Sequence, residues 1–160
     1  MNVKALEHLV TKLTSLCQRS ESLTWHNLLH QILDLFADVV QAERATLVLL
    51  DEQLYPLGCV HSAEDDVYNL CVEIPRLSRD FEDELSGGLM EFPLRKADTS
   101  LWLLPIPSVG PSRVGYIGFI HPAEPLPREL LHQGAALIAP LMRNIRLERK
   151  VKAAIATKQE

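Results

Sequence analysis

Trp25, Leu28, Leu29, Ile32, Phe36, Val39 and Val40 recur three and four residues apart, a spacing that places side chains on one stripe of an α-helix. They predict a helix ending near Gln41 or Ala42. Ser22 or Thr24 is its expected N-cap, because a hydroxyl there accepts a backbone N–H that the helix itself leaves unused. Val3, Leu6, Leu9, Val10, Leu13 and Leu16 predict an earlier amphipathic helix over 3–17, broken by "SES". A long final helix should run from Pro127, a good first-turn residue, to about Ile155. Its apolar stripe changes direction. Ile138, Leu141 and Ile145 suit the body of the domain, whereas Leu147, Val151 and Ile155 lie further round and suit another chain or a following module.

Between the helices the period changes. "ATLVLL" and "LYPLGCV" have strand length and are separated by the polar turn "DEQ". "VYNLCVEIP" reads as a third strand stopped by Pro75, which has no N–H to give a ladder. Residues 76–98 are mixed, with a short helix expected over 78–85, stopped by Gly87 and Gly88, and loop or a second short helix after it. "LWLLPI" and "RVGYIGFI" then flank a short Pro/Gly/Ser turn.

Neither of these last two runs alternates between apolar and polar residues. Val114, Tyr116 and Ile120 are expected on one face and Ile117 and Phe119 on the other. Such strands need cover on both faces. A parallel pair would need a crossover of about a dozen residues, which "PSVGPS" is too short to supply, so the pair must be antiparallel. The fold class is therefore α+β: an antiparallel sheet of five to six strands, with the long N- and C-terminal helices on one face and short helices or loops from 76–98 on the other.

The length of 160 residues fits one domain. We divide it into an N-terminal helix (1–20), a core (22–145) and a projecting C-terminal helix (146–160). The net charge of −5 argues against direct nucleic-acid binding, which needs a basic face to displace counterions. No apolar run reaches the roughly 18 residues of a membrane span, and the charged N-terminus is not a signal peptide, so a cytoplasmic setting is expected. Cys17, Cys59 and Cys71 are odd in number and contain no C-x-x-C pair, which reads as buried thiols rather than a disulfide framework or zinc site.

Three segments together resemble the GAF family of sensory domains. "LLHQILDLFADVVQAERATLVLLDEQ" is similar to the family's helix entering its first strand and acidic turn. "LLPIPSVGPSRVGYIGF" resembles its proline-ended strand, turn and Val-Gly strand, and "AALIAPLMRNIRLERKV" its terminal helix. The likeness covers roughly residues 22–150. It implies helices on one face that commonly mediate dimers, a ligand pocket on the other, and a downstream output module such as a kinase, a cyclase or a transcription activator. On this basis the expected function is small-molecule sensing in a bacterial signalling or transcription-regulatory protein, as a homodimer and without catalysis. A purely structural dimerisation module is the alternative, and a small thiol-dependent redox enzyme a third reading.

The chain also departs from the family's ligand-specific patterns. There is no stretch like "NKxnFxxxDE", the cyclic-nucleotide signature. Cys59 is separated from His61 by Val60, unlike typical bilin sites. The segment 76–98 holds no cysteine, unlike the free methionine sulfoxide reductases. No cofactor is named by the sequence.

The expected pocket residues are Cys71, Glu73, Arg76, Phe81, Met90, Phe92, Trp102 and Leu104, with Arg76 available to an anion. Leu6, Leu13, Leu141, Ile145, Leu147, Val151 and Ile155 are the expected dimer or signalling positions. His26 and His30 lie one turn apart but lack the Glu of H-E-x-x-H, and read as surface histidines. Asp65, Asp66, Asp80, Glu82, Asp83 and Glu84 read as a solvated acidic face, and Arg143, Arg146, Arg149, Lys150 and Lys152 as a solvated basic end of the last helix.

Overall fold

The computed structural model of the chain describes residues 3–19, 24–61, 74–77, 88–93, 100–108 and 113–159. Helices α1 (Val3–Arg19) and α2 (Trp25–Val40) precede strands β1 (Arg44–Leu50), β2 (Pro56–His61), β3 (Met90–Pro93), β4 (Ser100–Pro107) and β5 (Arg113–Ile120), and helix α3 (Arg128–Gln159) closes the chain. The expected N-cap and end of α2 are present. Thr24 is the N-cap and accepts the Asn27 N–H. Gln41 turns left-handed at φ 50°, and its neighbour Ala42 donates to the Ala37 carbonyl at 3.1 Å.

The strands form one antiparallel sheet in the order β2-β1-β5-β4-β3. β1 pairs with β5 through Leu47↔Ile117 and Val48↔Tyr116, and β5 pairs with β4 through Ile117↔Leu104 and Phe119↔Trp102. The turn between β1 and β2 is held by Asp51, whose Oδ1 accepts the N–H groups of Gln53 and Tyr55, each at 2.9 Å.

Alternation along these strands sorts the core into two faces. Ala45, Leu47, Leu49, Leu104, Ile106, Ile117 and Phe119 join Leu29, Ile32, Phe36, Leu131, Ile138 and Met142 on the inner, helix-covered face. Val48, Leu50, Leu101, Leu103, Tyr116 and Ile120 form the outer face with Ile74, Leu77 and Phe92. α2 lies against β1 and β2, α3 against β4, β5 and β1, and α1 packs on α2 and α3.

Several elements differ from the sequence expectation. Met90–Pro93 is a strand, not loop; it pairs with β4 at the sheet edge, where four residues suffice and Pro93 ends the ladder. Ile74–Leu77 is a helical turn rather than a strand end, and Pro75 fits its first turn, where no N–H is needed. Val114 belongs to the inner cluster rather than lying with Tyr116; it sits where the β4–β5 register shifts between Ile106 and Pro107. The helix expected over 78–85 and most of the strand expected over 67–75 fall outside the described residues. α3 continues through Pro140, which is exposed, so the Ala136 carbonyl it deprives of a partner can bond water.

Candidate functional site

Three places concentrate polar or open geometry. The first is at the end of the sheet where α3 arrives. Arg146 is 7% exposed. Its Nε donates to the Leu50 carbonyl at 2.7 Å, and its Nη2 to the Arg113 carbonyl at 2.9 Å. One turn on, the Arg149 guanidinium lies 4.2 Å from the centre of the Trp25 ring, and Lys150 donates to Glu52. Gly58 makes that approach feasible: a Cβ there would stand 2.8 Å from Arg149 Nη1 and 3.0 Å from the Trp25 ring. Burial pushes the Arg146 pKa down, partly offset by Glu52 and Asp51, while the Lys150 hydrogen bond holds the Glu52 carboxyl below its usual range. Arg146 and Arg149, expected to be solvated, are therefore part of a clamp joining α3 to β1, β5 and α2, while Lys150 is exposed as expected.

The second place is a groove of about 680 Å³ at the opposite end of α3, lined by His8 and Leu9 of α1, Leu35, Asp38 and Val39 of α2, and the segment 123–130. Its volume falls in the range of small-molecule sites. Apolar walls come from Leu9, Leu35, Val39, Leu126 and Leu130, and carboxylates from Asp38, Glu124 and Glu129. A smaller hollow beside it adds Trp102, over which the Arg128 guanidinium sits at 5.7 Å. Arg128 also donates to the Leu89 carbonyl and His132 accepts the Leu89 N–H, both at 3.0 Å, so α3 holds the entry to β3.

The third place is a polar row on the outer face of β1 and β2. Thr46, fully buried, bonds His61 Nδ1 through its hydroxyl at 2.7 Å, and His61 Nε2 lies 3.8 Å from Cys59 Sγ. Cys59 is disulfide-bonded, which corrects the expectation of three free buried thiols. The pairing was hidden because proximity across a fold leaves no trace in cysteine spacing. With its sulfur engaged, the row is not a Cys–His nucleophile as it stands.

The expected pocket residues do not come together. Met90, Phe92 and Arg76 are on or beside the outer face, but Leu104 is fully buried in the inner cluster and Trp102 packs against that same cluster. The reason is strand parity: even-numbered residues of β4 point inward and Leu101 and Leu103 outward. Cys71, Glu73 and Phe81, like the acidic residues at 65, 66, 80 and 82–84, lie outside the described residues. Among the expected dimer positions, Leu13 and Ile145 are buried in the chain's own core, which removes them from any surface. Leu141 is half-buried and Leu147 is 61% exposed. The side chains of Leu6, Val151 and Ile155 are outside the described set. His26 is exposed, and His30 bonds its helical neighbour Asp34 at 3.3 Å.

Among the described residues no group of three His, Cys, Asp or Glu is placed to hold a metal, and no helix is long and apolar enough to cross a membrane.

The arrangement of helices on one face of a β2-β1-β5-β4-β3 sheet has close counterparts among solved structures. A GAF domain of an Acinetobacter phosphoenolpyruvate-protein phosphotransferase superposes with a TM-score of 0.60 at 13% identity, over 90% of this chain and 95% of that one. This is a GAF fold. A GAF domain assigned to a sensor histidine kinase of Pseudomonas syringae pv. tomato gives 0.56 at 14% identity, over 92% of this chain and 94% of that one. The GAF domain of a phosphoenolpyruvate-protein phosphotransferase from Coxiella burnetii gives 0.54 at 10% identity, over 93% and 98%. No protein-family model and no curated protein matches the sequence.

Proposed function

We propose that this GAF-fold chain is a non-enzymatic sensory or regulatory domain of a signalling or transcription-regulatory protein, and that it acts as a homodimer. The observation that carries the reading is that one helix serves two ends of the molecule. α3 supplies Glu129 and Leu130 to the wall of the groove, and Arg146, Arg149 and Lys150 to the clamp. At ~1.5 Å per residue these ends are about 24 Å apart. A small molecule seated in the groove bears on the start of α3, and a displacement there reaches the clamp through a continuous helix. Such a shift requires the ligand to bind two arrangements with different affinity. The neighbours from a sensor kinase and from phosphotransferases provide precedents for this fold attached to an output module.

The structural-module reading has its own support. Ile74 closes directly over Gly118 on the outer face, where a Cβ would lie 2.8 Å from Ile74 Cδ1.

A thermal-shift screen with amino acids, nucleotides and small organic acids and amines separates the two. The sensory reading expects a compound that raises Tm by several degrees and alters hydrogen exchange at 146–150. Both effects should vanish in Leu35→Trp, which fills the groove. A dimer that no compound stabilises, or a stabilising compound indifferent to Leu35→Trp, overturns the groove reading in favour of a structural module.

A further inference from the structure

We infer that the groove beside the start of α3 takes a primary amine carried on an aliphatic body. This names a ligand class for the groove proposed above and rests on that reading.

The walls of the groove are held in place by backbone bonds. The Ala123 N–H donates to the Val40 carbonyl at 2.8 Å and the Arg128 N–H to the Leu126 carbonyl at 2.9 Å, which ties the segment before α3 to the end of α2. The apolar lining is entirely aliphatic at Leu9, Leu35, Val39, Leu126 and Leu130. The carboxylates come from three separate elements: Asp38 from the last turn of α2, Glu124 from the segment between β5 and α3, and Glu129 from the first turn of α3. Among the described residues none of the three forms an ion pair. Arg128, the one arginine in the lining, is already engaged: its Nη1 donates to the Leu89 carbonyl and its guanidinium lies over Trp102. Lys12 lines the adjoining hollow with Asp34 and Asp38 and pairs with neither.

Glu129 has a structural reason for its place, since a carboxylate in the first turn meets the positive end of the α3 dipole. Asp38 has none. It stands at the negative end of α2, and no basic residue shares that turn. An unpaired charge set against its own helix, on the wall of an aliphatic hollow, breaks a local rule at a place where a ligand can repair it. The repairing group is a cation, which gains from the carboxylates and from the α2 terminus together. The lining selects the kind of cation. No Phe, Tyr or Trp is in it, so a quaternary ammonium, which aromatic faces hold best, finds no cage. A primary ammonium instead has three N–H donors to share among carboxylates on different elements. Its hydrocarbon body then covers Leu35, Val39 and Leu126.

The test is calorimetric titration and thermal shift on the full chain at low salt, with hexylamine as the probe. Hexanol, hexanoate and hexyltrimethylammonium serve as controls of equal chain length. Hexylamine is expected to raise Tm by several degrees and to bind about tenfold more tightly than any control. Added salt should weaken it. Leu35→Trp should abolish its binding, with Val39→Trp as a second block and circular dichroism checking that both variants fold. Asp38→Asn should weaken hexylamine about tenfold while the Tm of the unliganded chain holds or rises, because a charge opposed to the α2 dipole is gone. A purely structural Asp38 would instead lower that Tm. Hexanol or hexanoate binding more tightly than hexylamine, and lost in Leu35→Trp, leaves the groove a ligand site and overturns the amine. Hexylamine binding that ignores Asp38→Asn overturns it as well. If no compound responds to the blocking variants, the groove reading falls and the amine with it.

Discussion

The two faces of the one sheet are built differently. The inner face is covered by three helices and contains Phe36, Phe119, Met142 and more than a dozen aliphatic side chains. Among the described residues the outer face has a smaller apolar cluster around Tyr116 and Ile74, and beside it the Thr46–His61–Cys59 row. Apolar burial is worth about 25 cal/mol per Å² and is non-directional, so a large oily layer stabilises without choosing any one contact. A small layer with polar members depends on individual partners. The inner face therefore carries stability and the outer face carries sensitivity to local chemistry. The Arg146 clamp lies where the two meet, bonding the ends of β1 and β5 to the helix of the inner layer.

The largest expected effect is on the inner face. Phe36→Ala should cost ~3–5 kcal/mol and lower Tm by about 10 °C, read by calorimetry or denaturant melts. Ile74→Ala removes the outer plug and should cost less, ~2 kcal/mol, with hydrogen exchange accelerating on the outer face and not at α2. Equal losses for the two variants, or exchange that spreads to α2, would erase the distinction between the faces. Arg146→Met keeps the length of the side chain but strips the Leu50 and Arg113 carbonyls of their donor. It should cost ~1–3 kcal/mol and speed exchange along the last third of α3 first. Uniform acceleration along α3 would show that the clamp is not local.

The smallest effect concerns Glu52. Lys150 depresses its folded pKa below the usual 4.5, so the contribution is present above that value and is lost as pH falls through the folded one. Glu52→Gln should leave Tm near its wild-type value at pH 7 and flatten the acid limb of the Tm–pH curve, and salt should erase the difference because the pair is exposed. A large loss at pH 7 would assign to this pair a share of the clamp that belongs to Arg146.

Much of the frame was legible from residue order. The stripe from Leu28 to Val40, the Thr24 cap and the doubly greasy β4–β5 hairpin each announce themselves within a few residues, because helix and strand periods are local. β3 was not legible: Met90–Pro93 is too short to show a period, and its strand state comes from pairing with Leu101–Leu103 and from His132 and Arg128 holding Leu89. That Trp102 and Leu104 lie across the sheet from Met90 and Phe92 was not legible either, because apolarity names a buried residue without naming its side of the sheet.

By itself, the sequence determined an antiparallel sheet sandwiched between long helices and a second cover, since hydrophobic period, turn length and capping hydroxyls act over short spans. The tertiary structure alone decided which face each strand residue serves, that Arg146 is buried against two carbonyls, that open space lies beside the start of α3, and that Cys59 is bonded. Those outcomes depend on groups far apart in the chain, up to 96 residues for Arg146 and Leu50, and on backbone atoms that every residue shares. No local pattern encodes a contact of that kind.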